Sequence, residues 1–232
     1  MTTIASTLES VKQRIVRAAE AAGRDGRSIR LLAVSKLQPA EAIRAAYAAG
    51  QEAFGESYVQ EALAKIEALR DLPLEWHFIG PLQSNKTAAV AQHFAWVHSV
   101  DRLKIARRLS EARPKAMPPL NVCLQVNISG EVSKGGARPD DVADLADEVA
   151  MLPRLNLRGL MAIPRASDDP AEQRRQFAAL RRLYAALQSR HGTFDTLSMG
   201  MSHDLEAAIA EGATLIRVGE AIFGVRPGKA AG

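Results

Sequence analysis

The sequence predicts an α/β protein built as a single (β/α)8 TIM barrel with an extra N-terminal helix. Eight short apolar runs, rich in Val, Ile, Leu and Phe, alternate with helical patterns along the chain. Residues of unusual chemistry lie where those runs end, which is where such a barrel places its functional residues. An open doubly wound sheet is the alternative, but the first strand–helix junction, VSKLQPAEA, lacks the glycine fingerprint for phosphate.

Each element follows from its own pattern. An amphipathic stripe of Leu8, Val11, Ile15 and Ala19 predicts the N-terminal helix. Strands are predicted at residues 30–35, 52–55, 75–80, 96–100, 120–128, 155–163, 194–200 and 214–219. Helices are predicted at residues 39–49, 58–70, 85–92, 102–112, 139–152, 170–189 and 203–211, with a short turn after residue 220.

Polar residues and glycines mark several boundaries of these elements. Asp101 and Ser202 precede two helical patterns, where their side chains are expected to cap the first turn. No linker, repeat or low-complexity stretch divides the chain, so residues 1–226 are predicted to form one barrel domain. Residues 227–232 are predicted to be a flexible tail.

Composition restricts the class of protein. The chain has 232 residues, of which 47% are hydrophobic and 24% are charged, so a sizeable core is expected and general disorder is excluded. A single cysteine, Cys123, excludes a disulfide framework and a thiolate metal cluster, and fits a reducing cytosol. We find no apolar run approaching the roughly 18 residues of a membrane span and no signal-peptide core. We therefore expect a soluble cytoplasmic protein.

The positive net charge raises the possibility of a nucleic-acid partner. The formal charge is +4, and arginine pairs occur at residues 107–108, 174–175 and 181–182. These pairs lie in helical patterns mixed with acidic residues, and aromatic residues make up only 5% of the chain. Without a recognisable binding motif or enough aromatics for base stacking, we expect solvated helix faces and no nucleic-acid partner.

Lys36 ends the apolar run LLAVSK, so its amine is expected at the mouth of the barrel. Burial disfavours the ammonium form, and a neutral amine can form an imine with an aldehyde. The alternative is a lysine whose apolar stem packs at the strand end while its amine reaches solvent.

A second signal lies near the other end of the sequence. SMGMS at residues 198–202 ends the seventh predicted strand, and RVGEAIFG at residues 217–224 ends the eighth. Loops after these two strands of a barrel often bind phosphate through backbone N–H groups and a helix N-terminus. Gly200 and Gly219 allow close backbone approach, and Ser202 supplies a hydroxyl. Ordinary turn glycines and a helix cap are the alternative.

Strands one and eight are neighbours in a closed barrel. An imine-forming Lys36 on one strand and a phosphate cradle beside the other describe a site for a phosphorylated aldehyde. Pyridoxal 5′-phosphate (PLP) is the obvious candidate.

The sequence resembles the YggS/PROSC family of pyridoxal phosphate homeostasis proteins, which are similar to the N-terminal barrel of alanine racemases. The resemblance rests on segments found in order along nearly the whole chain: AVSK, FGESYVQE, WHFIGPLQSNK, VNISGEVSKGG, GLMAI, LSMGMSHDLEAAI and IRVGEAIFG. It implies a barrel that carries PLP as a Schiff base on Lys36.

The resemblance also implies roles for matching positions. Ser202, Gly219 and neighbouring backbone N–H groups would hold the phosphate, with Met199 of the same segment among the cofactor-binding residues. Arg217 would face the pyridine nitrogen and keep it unprotonated, which weakens the ring as an electron sink. Ser57 stands where the family usually has Asn, so a contact from this side chain would be shorter or bridged by water.

Other residues carry weaker signals. Asn85 and Lys86 lie in a loop that recurs over the site in the family, and they are expected to help close it. Lys134, in a glycine-flanked loop, is an alternative aldehyde acceptor, although an exposed loop lysine is preferred. His77 is expected in the core or at the rim, and the chain's histidines show no metal-ligand spacing.

Racemisation on this cofactor needs an acid and a base on opposite faces of the substrate carbon. Racemases of this type supply the second group from a C-terminal domain, and this sequence leaves no length for one after Gly224. We therefore expect a monomeric PLP carrier. It would bind PLP and other B6 vitamers and deliver PLP to PLP-dependent apo-enzymes. A small PLP-dependent racemase or lyase with Lys36 as its base is the alternative.

Overall fold

Eight parallel strands close into a barrel in the computed structural model, which describes residues 3–131 and 134–224. The strands are β1 (Arg30–Val34), β2 (Ala53–Glu56), β3 (Glu75–Phe78), β4 (Trp96–Val100), β5 (Leu120–Gln125), β6 (Leu155–Met161), β7 (Thr196–Ser198) and β8 (Leu215–Val218). Each strand pairs with its successor, and β8 closes the ring by pairing with β1. The predicted barrel is confirmed, and the open-sheet alternative is wrong.

Helices alternate with these strands, as the apolar periodicity predicts. Over the described residues they are α1 (Ile4–Ala21), α2 (Ala40–Ala48), α3 (Val59–Ala68), α4 (Thr87–His93), α5 (Leu103–Ala112), α6 (Val142–Ala150), α7 (Pro170–Gln188), α8 (Leu205–Ala210) and α9 (Glu220–Phe223). The predicted tail at residues 227–232 lies outside the described residues.

Six of the eight strands are shorter than their apolar runs predict, and β5, β6 and β7 are among them. The runs at residues 120–128, 155–163 and 194–200 extend past the ends of β5, β6 and β7. Isolated backbone bonds continue there, such as Val126 N–H to Met161 O (2.8 Å) and Met199 N–H to Leu215 O (3.2 Å). The apolar pattern indicates burial as well as strand. Val126, Ala162 and Met199 remain buried after the regular ladder has ended, whereas Ile163 is exposed at the mouth.

Helix α1 packs its predicted stripe against the rest of the fold. Leu8, Val11, Ile15 and Ala19 are all buried, which confirms the stripe. Each large aliphatic side chain in such a position contributes about 1.5–3 kcal/mol of burial free energy. The helix begins with a capping box formed by Thr3 and Ser6.

Both expected helix caps are wrong. Helix α5 begins at Leu103, and Asp101 forms an ion pair with Arg102 (2.6 Å) instead of capping the helix. Helix α8 begins at Leu205 with Asp204 as its N-cap, because the loop makes one more turn before the helix starts. Ser202 therefore lies in the loop and not at the cap.

The period-two alternation of the strands separates two layers of core. The larger layer, between strands and helices, contains Phe54 and Phe78. Inside the barrel, one small apolar cluster comes from β1, β2 and β8 (Leu32, Ala53, Leu215) and another from β4, β5 and β6 (Trp96, Cys123, Met161). Strands β3 and β7 separate these clusters around the ring and contribute the buried polar side chains His77 and Ser198. No helix within the described ranges has both the length and the apolar character to cross a bilayer.

Candidate functional site

A cavity of about 210 Å³ opens at the carboxyl ends of the strands. It is lined by Val34, Lys36, Ser57, Ile79, Ile163, Met201, Ser202, His203, Arg217, Gly219 and Glu220. Most of these residues continue the inward-facing positions of β1, β2, β3, β6 and β8. Met201, Ser202 and His203 belong to the loop after β7, and Glu220 begins α9. Closure of the barrel therefore brings Lys36 into the same cavity as Arg217 and Gly219, although about 180 residues separate them.

Lys36 stands just past the end of β1, where the backbone changes direction. The next residue, Leu37, has a φ of +61°, which is uncommon for a residue with a side chain. Its N–H donates to Glu61 Oε1 at 2.6 Å. This bond from α3 fixes the turn that carries Lys36 into the cavity.

A buried group of charges holds the same turn from the helix side. This Lys65 cluster consists of Ser35, Glu56, Glu61 and Lys65. Lys65 Nζ lies 2.8 Å from Ser35 O, 2.8 Å from Glu56 Oε1 and 2.5 Å from Glu61 Oε1. Because Ser35 and Glu56 point away from the barrel interior, the cluster ties α3 to β1 and β2 directly behind Lys36.

Burial dominates the electrostatics of the Lys65 cluster. Desolvation raises the pKa of Glu56, and the donors Lys65 and Ser35 oppose that rise. Glu56 Oε1 accepts both of those hydrogen bonds, whereas Oε2 is buried and has no partner among the described residues. The cluster is thus held together by one ammonium group between two carboxylates.

Two glycines shape the loops after β7 and β8. Gly200 has a φ of +92°, and an added Cβ would stand 2.5 Å from Ala208 Cβ. A Cβ on Gly219 would stand 3.0 Å from Val34 O, so the end of β8 lies directly against β1. At Gly200 only glycine lets the backbone approach this closely, and at Gly219 a side chain would require the neighbouring strand to shift by a few tenths of an ångström.

Helix α1 supports both of these loops. Arg14 donates to Ser202 O at 2.7 Å and also pairs with Glu206. Thr7 Oγ1 donates to Ile222 O at 2.6 Å in α9. The Ile222 and Phe223 N–H groups of α9 both donate to Gly219 O at 2.9 Å, which leaves the Glu220 and Ala221 N–H groups without an intrahelical acceptor next to the cavity wall. With the Ser202 hydroxyl, this arrangement fits a phosphate group.

Arg217 lies in the floor of the cavity and is 4% exposed. It donates to Ser198 Oγ at 2.7 Å and to Ala162 O at 2.9 Å. Desolvation lowers its pKa to about 10, so the guanidinium remains charged at neutral pH. A fixed cation, a lysine amine and a glycine-lined anion cradle in one cavity suit a phosphorylated aromatic aldehyde.

The structure separates the residues proposed from sequence into two groups. Lys36, Ser57, Ser202, Arg217 and Gly219 line the cavity together.

Two proposed residues lie elsewhere among the described residues. Met199 is fully buried in the outer core layer, and Asn85 is exposed on a 3-10 turn at Ser84–Lys86. Lys86 lines a neighbouring groove, together with Ser57 and Tyr58. Lys134 Nζ donates to Pro164 O at 2.8 Å and pairs with Glu131.

Sequence reasoning missed the groups that hold Lys36 and Arg217. His77 was expected in the core or at the rim, and it is completely buried inside the barrel. His98 is also completely buried, and its Nε2 lies 2.9 Å from His77 Nδ1, a pairing that the sequence does not indicate. The alternation in EWHF and WVHSV could have placed both rings inside the barrel, since each occupies an inward position. No sequence signal links them to Ser198.

The sequence profile described as the alanine racemase N-terminal domain matches residues 7–227. Two proteins named pyridoxal phosphate homeostasis protein are similar over nearly their whole length. The Pseudomonas aeruginosa protein is 61% identical over 226 residues, which cover 97% of each chain. The Escherichia coli protein is 53% identical over 232 residues, which cover 97% of this chain and 98% of that one.

Solved structures show the same architecture. PipY from Synechococcus elongatus, solved with PLP bound, is 41% identical with a TM-score of 0.83, and the match covers 96% of this chain and all of PipY (100%). An alanine racemase from Corynebacterium glutamicum is 20% identical with a TM-score of 0.69, and this chain covers 64% of it. That second likeness concerns the fold alone. On the identities of the first relatives and the profile match, the chain belongs to the alanine racemase N-terminal domain family and, within it, to the pyridoxal phosphate homeostasis proteins.

Proposed function

We propose that this protein binds PLP as a Schiff base on Lys36 and serves intracellular PLP homeostasis without turning over amino acids. The observation that carries the proposal is the meeting of Lys36 from β1 with Ser202, Arg217 and Gly219 from the β7 and β8 ends in one cavity. PipY, which is 41% identical, has been solved with PLP bound. The similar proteins from P. aeruginosa and E. coli are named for homeostasis of this cofactor.

Each lining residue has a distinct part in the proposed complex. When bound, PLP supplies the aldehyde that condenses with the Lys36 amine and releases water. Ser202, Gly219 and the nearby N–H groups hold the phosphate, while Arg217 faces the pyridine nitrogen as a charged donor. Ser57 contacts the bound molecule directly or through water.

Met199 and Asn85 have more distant roles in the proposal. Met199 contributes through the backbone of the loop that carries Ser202. Asn85 closes over the mouth by a movement of its loop.

Borohydride reduction followed by peptide mass analysis tests the anchor. A pyridoxyl adduct on the peptide that contains Lys36 is expected, together with visible absorbance that Lys36→Ala abolishes. Lys104→Ala is the matched control, because Lys104 is an exposed lysine of α5 and its loss is expected to leave the absorbance intact. An adduct confined to Lys86 or Lys134 would contradict the proposed site.

A second experiment tests the absence of turnover. If this protein were a racemase or lyase with Lys36 as its base, it would exchange the Cα hydrogen of an amino acid with solvent. We expect no deuterium incorporation at Cα when a panel of amino acids is incubated with the loaded protein in D₂O. Incorporation that disappears in Lys36→Ala would establish the enzymatic alternative.

The proposal extends to the setting in which the protein works. It acts in the cytoplasm as a monomer, accepts other B6 vitamers in the same cradle, and delivers PLP to PLP-dependent apo-enzymes. The buried, unpaired thiol of Cys123 is compatible with a reducing compartment. Sedimentation of the loaded protein tests the monomer, and activation of an apo-enzyme by the loaded protein tests delivery.

A further inference from the structure

A row of hydrogen-bonded side chains crosses the inside of the barrel and ends on Arg217. This interior chain consists of Glu75, His77, His98, Ser198 and Arg217. The successive distances are 2.5 Å from Glu75 Oε1 to His77 Nε2, 2.9 Å from His77 Nδ1 to His98 Nε2, 2.9 Å from His98 Nδ1 to Ser198 Oγ, and 2.7 Å from Ser198 Oγ to Arg217. It therefore joins the amino end of β3 to the floor of the cavity.

The carboxylate end sets the direction of the hydrogen bonds. Glu75 also pairs with Arg30 at 2.8 Å. Desolvation raises the pKa of Glu75, but the hydrogen bond from His77 and the hydrogen bond and charge of Arg30 outweigh it and hold the pKa below its ordinary 4.5. The ionised Glu75 can only accept, so His77 donates from Nε2.

The rest of the interior chain then has one consistent arrangement. Desolvation lowers the pKa of both histidines, which keeps the rings neutral, so each carries a single hydrogen. His77 Nδ1 must accept from His98 Nε2–H, and His98 Nδ1 must accept from the Ser198 hydroxyl. Ser198 Oγ is then free to accept from Arg217, which can only donate. The two ends of the chain thus require the same tautomers.

Packing holds the interior chain in place. Trp96 stacks on the His77 ring, with centroids 5.3 Å apart and planes inclined by 4°. Both histidines and Ser198 are completely buried. A second acceptor, Ala162 O, binds the other terminal nitrogen of Arg217. The guanidinium is therefore restrained at two nitrogens, and only one of the restraints is a side chain.

We propose that Ser198, His98 and His77 are positioning residues, which hold the guanidinium of Arg217 in one orientation towards the cavity. The inference rests on the proposed function, in which Arg217 faces the pyridine nitrogen of PLP. A guanidinium held this way presents a donor to that nitrogen without having to be reoriented when the cofactor binds, which favours affinity. The three positioning residues of the interior chain are neutral, and the carboxylate of that chain, Glu75, lies at the end away from the cavity.

Nitrogen NMR of the full-length protein without cofactor tests the arrangement itself. We expect His77 and His98 both to show a protonated Nε2 and an unprotonated Nδ1 at neutral pH. Ser198→Ala is expected to change the Nδ1 resonance of His98, because that nitrogen loses its donor. A protonated Nδ1 on either ring in the wild-type protein would overturn the proposal.

Cofactor binding tests the effect on Arg217. In Ser198→Ala we expect PLP affinity to fall about tenfold, the loss of one hydrogen bond to a charged group. The pH at which the visible absorbance of the bound cofactor changes is expected to shift as well. Ser99→Ala is the matched control, since Ser99 is a buried serine of β4 whose Oγ has no partner among the described residues. Its affinity and spectrum are expected to match the wild type.

Wild-type affinity and spectrum in Ser198→Ala would overturn the proposal, as would equal losses in Ser198→Ala and Ser99→Ala. If the wild-type protein itself took up no PLP on Lys36, the proposed function would fail. The proposed role of the interior chain in cofactor binding would then fail with it. That outcome is distinguishable, because it is seen before any variant of the interior chain is made.

Discussion

Lys36 and Arg217 belong to neighbouring strands, yet the groups that hold them differ in charge and in location. Behind Lys36, the Lys65 cluster joins an ammonium group to two carboxylates between α3 and the outer faces of β1 and β2. Behind Arg217, the interior chain runs through the barrel on neutral imidazoles and a hydroxyl. One cavity is therefore supported by charges on its outside and by neutral polar groups on its inside.

The difference follows from what each group holds. The Lys65 cluster fixes a backbone turn, Ser35 to Leu37, and any charges there are separated from the cavity by the strands. The interior chain fixes a charged side chain inside the cavity floor, where a second charge would alter the field acting on a ligand. Neutral groups hold the Arg217 guanidinium in place there without changing the net charge of the cavity.

The largest expected effect comes from breaking the charged side. Lys65→Met leaves Glu56 and Glu61 without their shared cation in a buried site, which costs about 3–5 kcal/mol of unfolding free energy. Urea unfolding at pH 7 measures it. Lys12→Met is the control, because within the described part of the chain the Lys12 amine makes a single long hydrogen bond, to Ala49 O at 3.4 Å. A loss in Lys65→Met no larger than that of the control would show that the cluster contributes little.

The neutral side is expected to respond to acid. Desolvation lowers the pKa of His77 and His98 below the ordinary 6.5, so below pH 6.5 the unfolded chain binds protons that the native state does not. Stability should fall as the pH drops from 6.5 towards 5, by up to about 1.4 kcal/mol per pH unit for each histidine.

Unfolding free energies of His98→Gln, measured across that pH range, should show a smaller slope than the wild type. His93→Gln, which changes an exposed histidine of α4, should keep the wild-type slope. Identical slopes in all three proteins would mean that His98 does not resist protonation in the native state.

Glu56 is expected to respond to acid with the opposite sign. Burial raises its pKa, so between 4.5 and that raised value the native state binds more protons than the unfolded chain, and this group adds stability as the pH falls. Glu56→Gln keeps an acceptor for Ser35 and Lys65 but removes this gain. We expect a loss of about 1 kcal/mol at pH 7 that grows towards pH 5, as measured by urea unfolding. A loss that shrinks on acidification would contradict the raised pKa.

The smallest expected effect concerns the support from α1. Arg14→Gln removes the pair with Glu206 and weakens the bond to Ser202 O, at a site open to solvent. Exposed pairs contribute about 0.2–1 kcal/mol, so PLP affinity should fall by no more than about fivefold in a binding titration. Arg70→Gln removes an exposed pair between Glu67 of α3 and the turn that follows the helix, and it should leave affinity unchanged. If Arg14→Gln and Arg70→Gln bound PLP with equal affinity, the contacts of α1 would have no measurable effect on the loops that are proposed to hold the phosphate.

Much of the fold could be predicted because local patterns determine it. Apolar alternation and helical periodicity located the eight strands and the order of the helices, and the position of Lys36 at a strand end placed its amine at the mouth. The sequence-based prediction was wrong where a side chain had two possible partners close in sequence. Asp101 could cap α5, but it pairs with Arg102 instead.

The candidate site was predicted only in part. Five of the proposed residues line one cavity, because each ends or follows a strand. Met199 has the opposite strand parity from its neighbour Ser198, so its side chain points into the outer core. Asn85 lies on a loop whose path depends on packing, and spacing alone could not place it.

The amino-acid sequence by itself determined the succession of strands and helices, the residues that end each strand and the family to which the chain belongs. Tertiary structure alone decided which of those residues meet. The bond between His98 and Ser198 joins positions 100 residues apart, from strands that are not neighbours in the sheet. Such contacts depend on closure and register, which bring side chains together across the inside of the barrel, and no local periodicity encodes them.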